Sequence, residues 1–177
     1  ARAFGKAIGL LHTCLQKCDG GGGFREMDLA AQIREWAIPR IREGESTVAA
    51  RAIERIWQEV EPEFVSLYTA LPRQLIHRDA HPSNMLFEEG ELTGFLDFEL
   101  ALRGPRLFDV CYCGSSILVD GFQDPERAQQ WPALFRSLVE GYEAFCPLVP
   151  SERLAVYGVL AAIELIFIAF WLDMQNG

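Results

Sequence analysis

The sequence predicts a mostly α domain of the α+β class, six or seven helices around one or two small β-hairpins. Three observations carry that expectation. Apolar residues recur at helical spacing through the N-terminal and C-terminal stretches. Between them, from Leu75 to Phe98, the pattern changes to short apolar runs separated by turns. Half of the residues are hydrophobic, 11% aromatic and only 23% charged, a composition that folds around a core. At 177 residues, with no internal repeat and no linker, the chain reads as one domain spanning residues 1–177.

Phe4, Ala7, Ile8, Leu11 and Leu15 share one face, which predicts a first amphipathic helix from Ala3 to Lys17. Asp19 and the glycine run Gly20 to Gly23 end it in a surface loop. No Gly-Lys-Ser/Thr follows the run and no strand precedes it, so it is not a phosphate-binding loop. Asp28 is the expected N-cap of a second helix carrying Leu29, Ile33, Trp36 and Ala37, broken near Pro39. Ser46 or Thr47 caps a third, with Ala49, Ala52, Ile53, Ile56, Trp57 and Val60 facing the core. Arg51, Glu54, Arg55, Gln58 and Glu59 form its solvated face. Pro62 permits a fresh start, and Phe64, Leu67, Tyr68 and Leu71 continue the helical pattern to Pro72.

Strands are expected at Leu75-Ile76, at Met85-Leu86-Phe87 and from Leu92 to Phe98, with a turn at Glu88-Glu89-Gly90-Glu91. An irregular segment follows through Arg103, Gly104 and Pro105, and Phe108 to Leu118 is again helical. Asp124-Pro125 starts the next helix, restarted or kinked at Pro132, with Phe135, Leu138, Val139, Tyr142 and Cys146 as its apolar stripe. Pro147 and Pro150 end it, and Ser151 caps a last, mostly buried helix.

The formal net charge of −9, without a basic run, argues against nucleic-acid binding. Five cysteines (Cys14, Cys18, Cys111, Cys113 and Cys146) are an odd number without framework or zinc spacing, so reduced thiols in a cytoplasmic protein are expected. No signal peptide is expected, because Ala1 to Leu15 is periodic and has no cleavage site. Ala155 to Leu172 is about as long as a membrane span, but Glu164 interrupts it. A helix buried in the centre of the domain, with no membrane partner, is the expectation.

The chemistry concentrates in His77-Arg78-Asp79-Ala80-His81-Pro82-Ser83-Asn84, followed by Asp97-Phe98 thirteen residues after Asn84. The spacing H-R-D-x-x-x-x-N with a later Asp-Phe is that of phosphoryl transfer. Such a reaction needs the acceptor hydroxyl in line, a group to take its proton, and cations on the phosphate oxygens. Asp79, at a strand end, is the expected base. Asn84 offers a neutral oxygen and Asp97 a charged one, hard ligands with few charges, which suits Mg2+ that keeps waters and shares the phosphates. The step from Asp79 to Asn84 lets the loop turn back, and the hairpin returns Asp97 to the same end.

The chain resembles the aminoglycoside phosphotransferase and choline kinase group, small-molecule kinases distantly related to protein kinases. The resemblance rests on Ile76 to Leu86 as catalytic loop, on Phe95-Leu96-Asp97-Phe98-Glu99 as metal strand, and on Gly104-Pro105-Arg106-Leu107-Phe108-Asp109. The last is similar to the family's G-D-P-x-x-D, with Pro105 and Arg106 departing from its middle. Gly9-Leu10-Leu11-His12 is similar to the helix that begins the family's C-terminal lobe. Glu99, where protein kinases have glycine, and the lack of an A-P-E motif favour the small-molecule branch.

The resemblance implies the C-terminal lobe of a protein-kinase-like fold, with ATP or GTP as phosphate donor and a small-molecule hydroxyl as acceptor. An aminoglycoside, an amino alcohol, homoserine or a sugar-like compound would each be compatible. It implies a supporting role for His77 beneath the metal segment, and for His81 either orientation of the loop or an approach to substrate. Asp109 is expected to brace the catalytic loop or cap its helix. Arg78 is expected at the surface or in a local salt bridge, and His12 as a satisfied helix-end histidine. Trp36, Trp57, Trp131 and Trp171 read as core or rim packing. Substrate contacts are expected from the insert between Phe24 and Pro62 and from residues after Asp97. In the family the nucleotide is clamped by an N-terminal lobe with a glycine-rich loop and a strand lysine, whereas Lys6 and Lys17 here lie in the first helix. The expectation is therefore a lobe that needs that N-terminal partner, or a second copy of itself, and whose nucleotide-contacting residues cannot be named. A non-catalytic binding or scaffold domain is the alternative.

Overall fold

In the computed structural model, which describes residues 1–18 and 23–176, the first apolar stripe forms helix α1 (Arg2–Leu15), continued by a 3-10 turn at Gln16–Cys18. Most of the glycine run lies outside the described residues. The second helix begins as expected, with the Asp28 carboxylate accepting from the amide of Ala31 at 2.9 Å. It runs as α2 (Leu29–Gln32), one π turn (Ile33–Ala37) and α3 (Ile38–Gly44). Pro39 therefore does not break it. The wide π turn ahead of the ring accommodates a residue that lacks an N–H.

Ser46 caps α4 (Thr47–Tyr68), its hydroxyl accepting from Ala49 N at 3.3 Å. Here too the expected interruption is absent, and Pro62 sits inside a continuous helix of 22 residues. Phe64, 2% exposed, explains what holds the segment together across the proline. Its ring packs on Trp57 and Tyr68 with centroids 5.4 and 5.2 Å away. Burying one side chain of that size contributes about 1.5–3 kcal/mol, comparable with the roughly 3 kcal/mol cost of an interior proline.

Four short strands follow: β1 (Arg73–Ile76), β2 (Met85–Glu88), β3 (Glu91–Phe95) and β4 (Leu102–Pro105). β2 and β3 form the expected hairpin, closed by Glu89 and Gly90 with φ of 51° and 85°. Both values lie in the left-handed region that a two-residue hairpin loop requires. The strand from Leu92 stops at Phe95, so Asp97 and Phe98 lie in the loop beyond it. The segment expected to be irregular contains β4, which pairs antiparallel with β1, Ile76 opposite Leu102 and Arg73 opposite Pro105. Four residues with glycine and proline at one end carry little strand signal. The pairing partner, far back in sequence, makes this strand.

α5 (Leu107–Gly121), α6 (Pro125–Glu143) and α7 (Pro150–Asn176) complete the fold. Asp124 caps α6 as expected, accepting from Glu126 N at 3.0 Å, and Pro132 lies within that helix. α1 crosses α6 closely enough that a Cβ on Gly5 would lie 1.9 Å from the Leu138 carbonyl oxygen. Counting α2 to α3 as one, the described residues form six helices, a mostly helical α+β lobe.

Ser151 is not the cap of α7, which starts at Pro150. The buried Glu152 carboxylate accepts from Val149 N at 2.9 Å and is gripped on both oxygens by Arg106, at 2.8 and 2.7 Å. This pair occupies one of the two positions where the sequence departs from G-D-P-x-x-D. α7 is long and apolar enough to cross a membrane by length and composition. It is buried on one face only, through Ala155, Val159, Ala162, Ile163, Ala169 and Leu172, and not on all sides as its composition suggested. Phe170, Trp171 and Met174 remain more than half exposed.

Candidate active site

The loop after β1 is held from behind by one buried carboxylate. Asp109, fully buried in the first turn of α5, accepts from His77 N at 2.8 Å through Oδ2 and from Arg78 N at 2.8 Å through Oδ1. His12 Nε2 lies 2.9 Å from the same Oδ2, and His12 Nδ1 lies 2.9 Å from the Tyr142 hydroxyl. Asp109 thus braces the loop backbone and does not cap its own helix. His12, at the end of α1, is satisfied on both ring nitrogens.

With those two amides fixed, Arg78 adopts φ 70°, a region costly for a residue with a Cβ. Asp79, next along, is held on both oxygens. The Tyr112 hydroxyl donates to Oδ1 at 2.7 Å, and Asn84 Nδ2 donates to Oδ2 at 2.9 Å. His81 Nε2 is 3.6 Å from Oδ2. Burial first, and the bond to Asp79 second, push the Tyr112 phenol well above its usual range, so it remains a donor. Sequence reasoning missed Tyr112. The signal was present: Tyr112 follows Asp109 by one helical turn, and residues so spaced share a helix face.

Asn84 also donates to the backbone oxygen of Asp79 at 2.9 Å. Two acceptors on its nitrogen turn its carbonyl oxygen away from Asp79. Leu96 N donates to the backbone oxygen of Asn84 at 2.9 Å, which places Asp97 beside Asn84. Asp97 is exposed at φ 62°, and no described residue bonds its carboxylate. His77 is fully buried beneath this segment. Its Nδ1 accepts from Asp79 N at 3.3 Å, leaving Nε2 to donate to the Leu96 oxygen at 2.8 Å, and its ring packs on Phe98 at 4.5 Å. Among the described residues no three His, Cys, Asp or Glu side chains gather as a protein-only metal cage. A free carboxylate and an outward amide oxygen instead fit a hard cation that takes its other ligands from phosphate and water.

A cavity of about 660 Å³ opens beside Asp79. Gln32 and Trp36 of the insert line it, together with Arg78, His81, Tyr112, Asp120, Phe167 and Trp171. Only a small part of the insert reaches it, and α5 and α7 supply most of the wall. Trp36 and Trp171 face this cavity, whereas Trp57 is core. Asn84 and Asp97 are not among the residues that line it.

A family described as "Phosphotransferase enzyme family" matches residues 1–148, which takes in every element up to α6. Among curated proteins, a homoserine kinase of Phenylobacterium zucineum is 29% identical over 157 residues, 88% of this chain and 46% of that protein. A homoserine kinase of Gluconacetobacter diazotrophicus is 36% identical over 94 residues, 52% of this chain and 27% of that protein. One of Methylobacillus glycogenes is 25% identical over 176 residues, 98% of this chain and 50% of that protein. The chain spans about half the length, or less, of the curated relatives it matches.

Proposed function

Because the chain belongs to the phosphotransferase enzyme family, we propose that it forms the acceptor-side lobe of an ATP- and Mg2+-dependent kinase acting on a small-molecule hydroxyl. The names of the relatives favour homoserine as that acceptor. One observation carries the reading. Asp79 lines an open cleft with both carboxylate oxygens hydrogen-bonded, one of them to Asn84, beside which the segment carrying Asp97 is held.

Asp79 accepts the proton of the acceptor hydroxyl as its oxygen bonds to the terminal phosphorus and the bond to the leaving diphosphate breaks. The carboxylate keeps free lone pairs for that proton while Tyr112 and Asn84 hold its plane, so little reorganisation remains for the transition state. Asn84 and Asp97 would hold Mg2+, which supplies charge neutralisation on the phosphate oxygens. His77 supports the segment that carries Asp97, and His81 stands within reach of Asp79. A cytoplasmic location, where ATP is available, goes with this reading.

The test is Asp79→Ala in the full-length protein. Phosphate transfer should fall by about 10²–10⁴-fold with the thermal midpoint preserved. Turnover at the unsubstituted rate would remove Asp79 from the mechanism.

A further inference from the structure

Arg78 is a cation on the cleft floor that the proposed mechanism does not use. Its guanidinium is half-buried, lines the cavity beside Asp79, and has no hydrogen bond or ion pair with any described residue. Of the surface or local salt-bridge role expected from sequence, the salt bridge does not form among the described residues. Glu26 bonds Arg73 at 3.1 Å and Arg103 at 2.9 Å, and the Asp79 oxygens accept from Tyr112 and Asn84 and not from Arg78. Burial first, and repulsion from the neighbouring Arg25 second, push the Arg78 pKa down. Arg25 likewise has no ion pair among the described residues. The adjacent Asp79 carboxylate offsets this only in part, which leaves a place that a further anion relieves.

The position of Arg78 says which anion. It lines the same cleft as Asp79, a cleft that Asn84 and Asp97 do not line. It also adjoins Asp79 in sequence, and consecutive Cα atoms are about 3.8 Å apart. Since both residues line one cleft, a short molecule can bring an anionic group to Arg78 and a hydroxyl to Asp79 together. We propose that Arg78 binds the carboxylate of the acceptor, and that the substrate class of this site is a short-chain hydroxy acid.

This rests on the kinase reading above and narrows it, since a purely cationic amino alcohol or aminoglycoside offers Arg78 nothing. The planar guanidinium suits a two-point grip on a carboxylate, which lysine cannot reproduce. Arg78 therefore acts on specificity, and its loss should appear in KM and not in kcat.

The test compares L-homoserine with 3-aminopropan-1-ol, the same amine and hydroxyl without the carboxylate. In the 177-residue chain, L-homoserine should shift the Arg78 Nε–H resonance saturably, and 3-aminopropan-1-ol should not. No shift, or an equal shift with both, overturns the proposal whatever the turnover. A saturable shift with inorganic phosphate but none with homoserine assigns Arg78 to the donor side and overturns it equally. In the full-length protein, Arg78→Ala should raise the KM for homoserine about 10- to 100-fold, change kcat less than about threefold, and leave 3-aminopropan-1-ol unaffected. Arg78→Lys, which keeps the charge, should recover part of the loss and serves if the alanine variant fails to fold. Equal loss with both compounds overturns the proposal. A homoserine-specific shift without phosphate transfer to either compound would leave the carboxylate site standing and remove the kinase reading.

Discussion

Replacing Asp109 by asparagine tests the brace on which the site depends. The carboxylate accepts three bonds within 2.8–2.9 Å, from His77 N, Arg78 N and His12 Nε2, with no exposure to water. Asparagine keeps one acceptor oxygen and turns an NH2 toward the other side. In its better orientation the oxygen stays on His77 and His12, and donor meets donor at Arg78 N. An unsatisfied buried amide costs about 1–3 kcal/mol, and each bond that passes from charged to neutral loses roughly 0.5–1 kcal/mol more. The sum is about 3 kcal/mol. With a urea slope of about 2 kcal/mol/M, the unfolding midpoint should fall by about 1.5 M. Native-state hydrogen exchange should show the amide of residue 78 released selectively, ahead of the α1–α6 core. A loss below about 0.5 kcal/mol, or equal acceleration throughout the chain, would refute the idea that Asp109 holds the loop.

Three further perturbations test other parts of the account. Tyr112→Phe removes one bond to the charged Asp79, worth about 1.5–3 kcal/mol. Phosphate transfer should therefore fall about 10- to 100-fold with the nucleotide KM unchanged, and unchanged kcat would show that Asn84 alone positions the carboxylate. Gly5→Ala places a methyl 1.9 Å from a backbone oxygen of α6 that cannot rotate away. Calorimetric unfolding should show a loss of about 3 kcal/mol, and a neutral result would mean the helices are further apart than described. Burial pushes the Glu164 carboxyl above its usual range, so the folded state holds its proton longer than the unfolded state does. Its contribution to stability is full below the unfolded value near about 4.3 and is lost as pH rises through the raised folded value. Glu164→Gln should therefore raise the urea midpoint at pH 7 relative to wild type and not at pH 4.

What the sequence made legible was whatever local chemistry decides. Asp28, Ser46 and Asp124 cap the helices they were expected to cap, because a side chain bonding an amide two or three residues on needs no tertiary context. The readings that failed were decided at long range. Pro39 and Pro62 are strong local breakers, yet packing overrides them within a continuous helical run and within α4. β4 exists because β1 is there to pair with it. The same division runs through the site. Asp79, Asn84 and Asp97 stood out by spacing, and the loop and hairpin place Asn84 beside both of the others. Tyr112 was within reach of a helix-face argument from Asp109, but the open guanidinium of Arg78 became visible only in the folded loop. An unpaired charge is a property of surroundings that spacing does not report.

The two non-glycine residues with left-handed backbone near the site, Arg78 and Asp97, point to one physical solution used twice. A left-handed residue with a Cβ costs about 1–2 kcal/mol. At Arg78 that cost is offset where Asp109 collects two successive amides, which turns the amides of residues 77 and 78 inward and leaves the side chain of Asp79 on the cleft side. At Asp97 the support comes from its neighbour. The Leu96 amide and carbonyl are both bonded, to the Asn84 oxygen and His77 Nε2, so the chain must turn sharply just after them. In both places bonded inward-facing backbone fixes a turn, and the reactive side chain is left facing away from the core. Asparagine or glycine at residue 78 would lower the backbone cost but remove the guanidinium from the cleft. An arginine held at that backbone cost, its guanidinium in the cleft and unbonded among the described residues, is in keeping with the anion site proposed above.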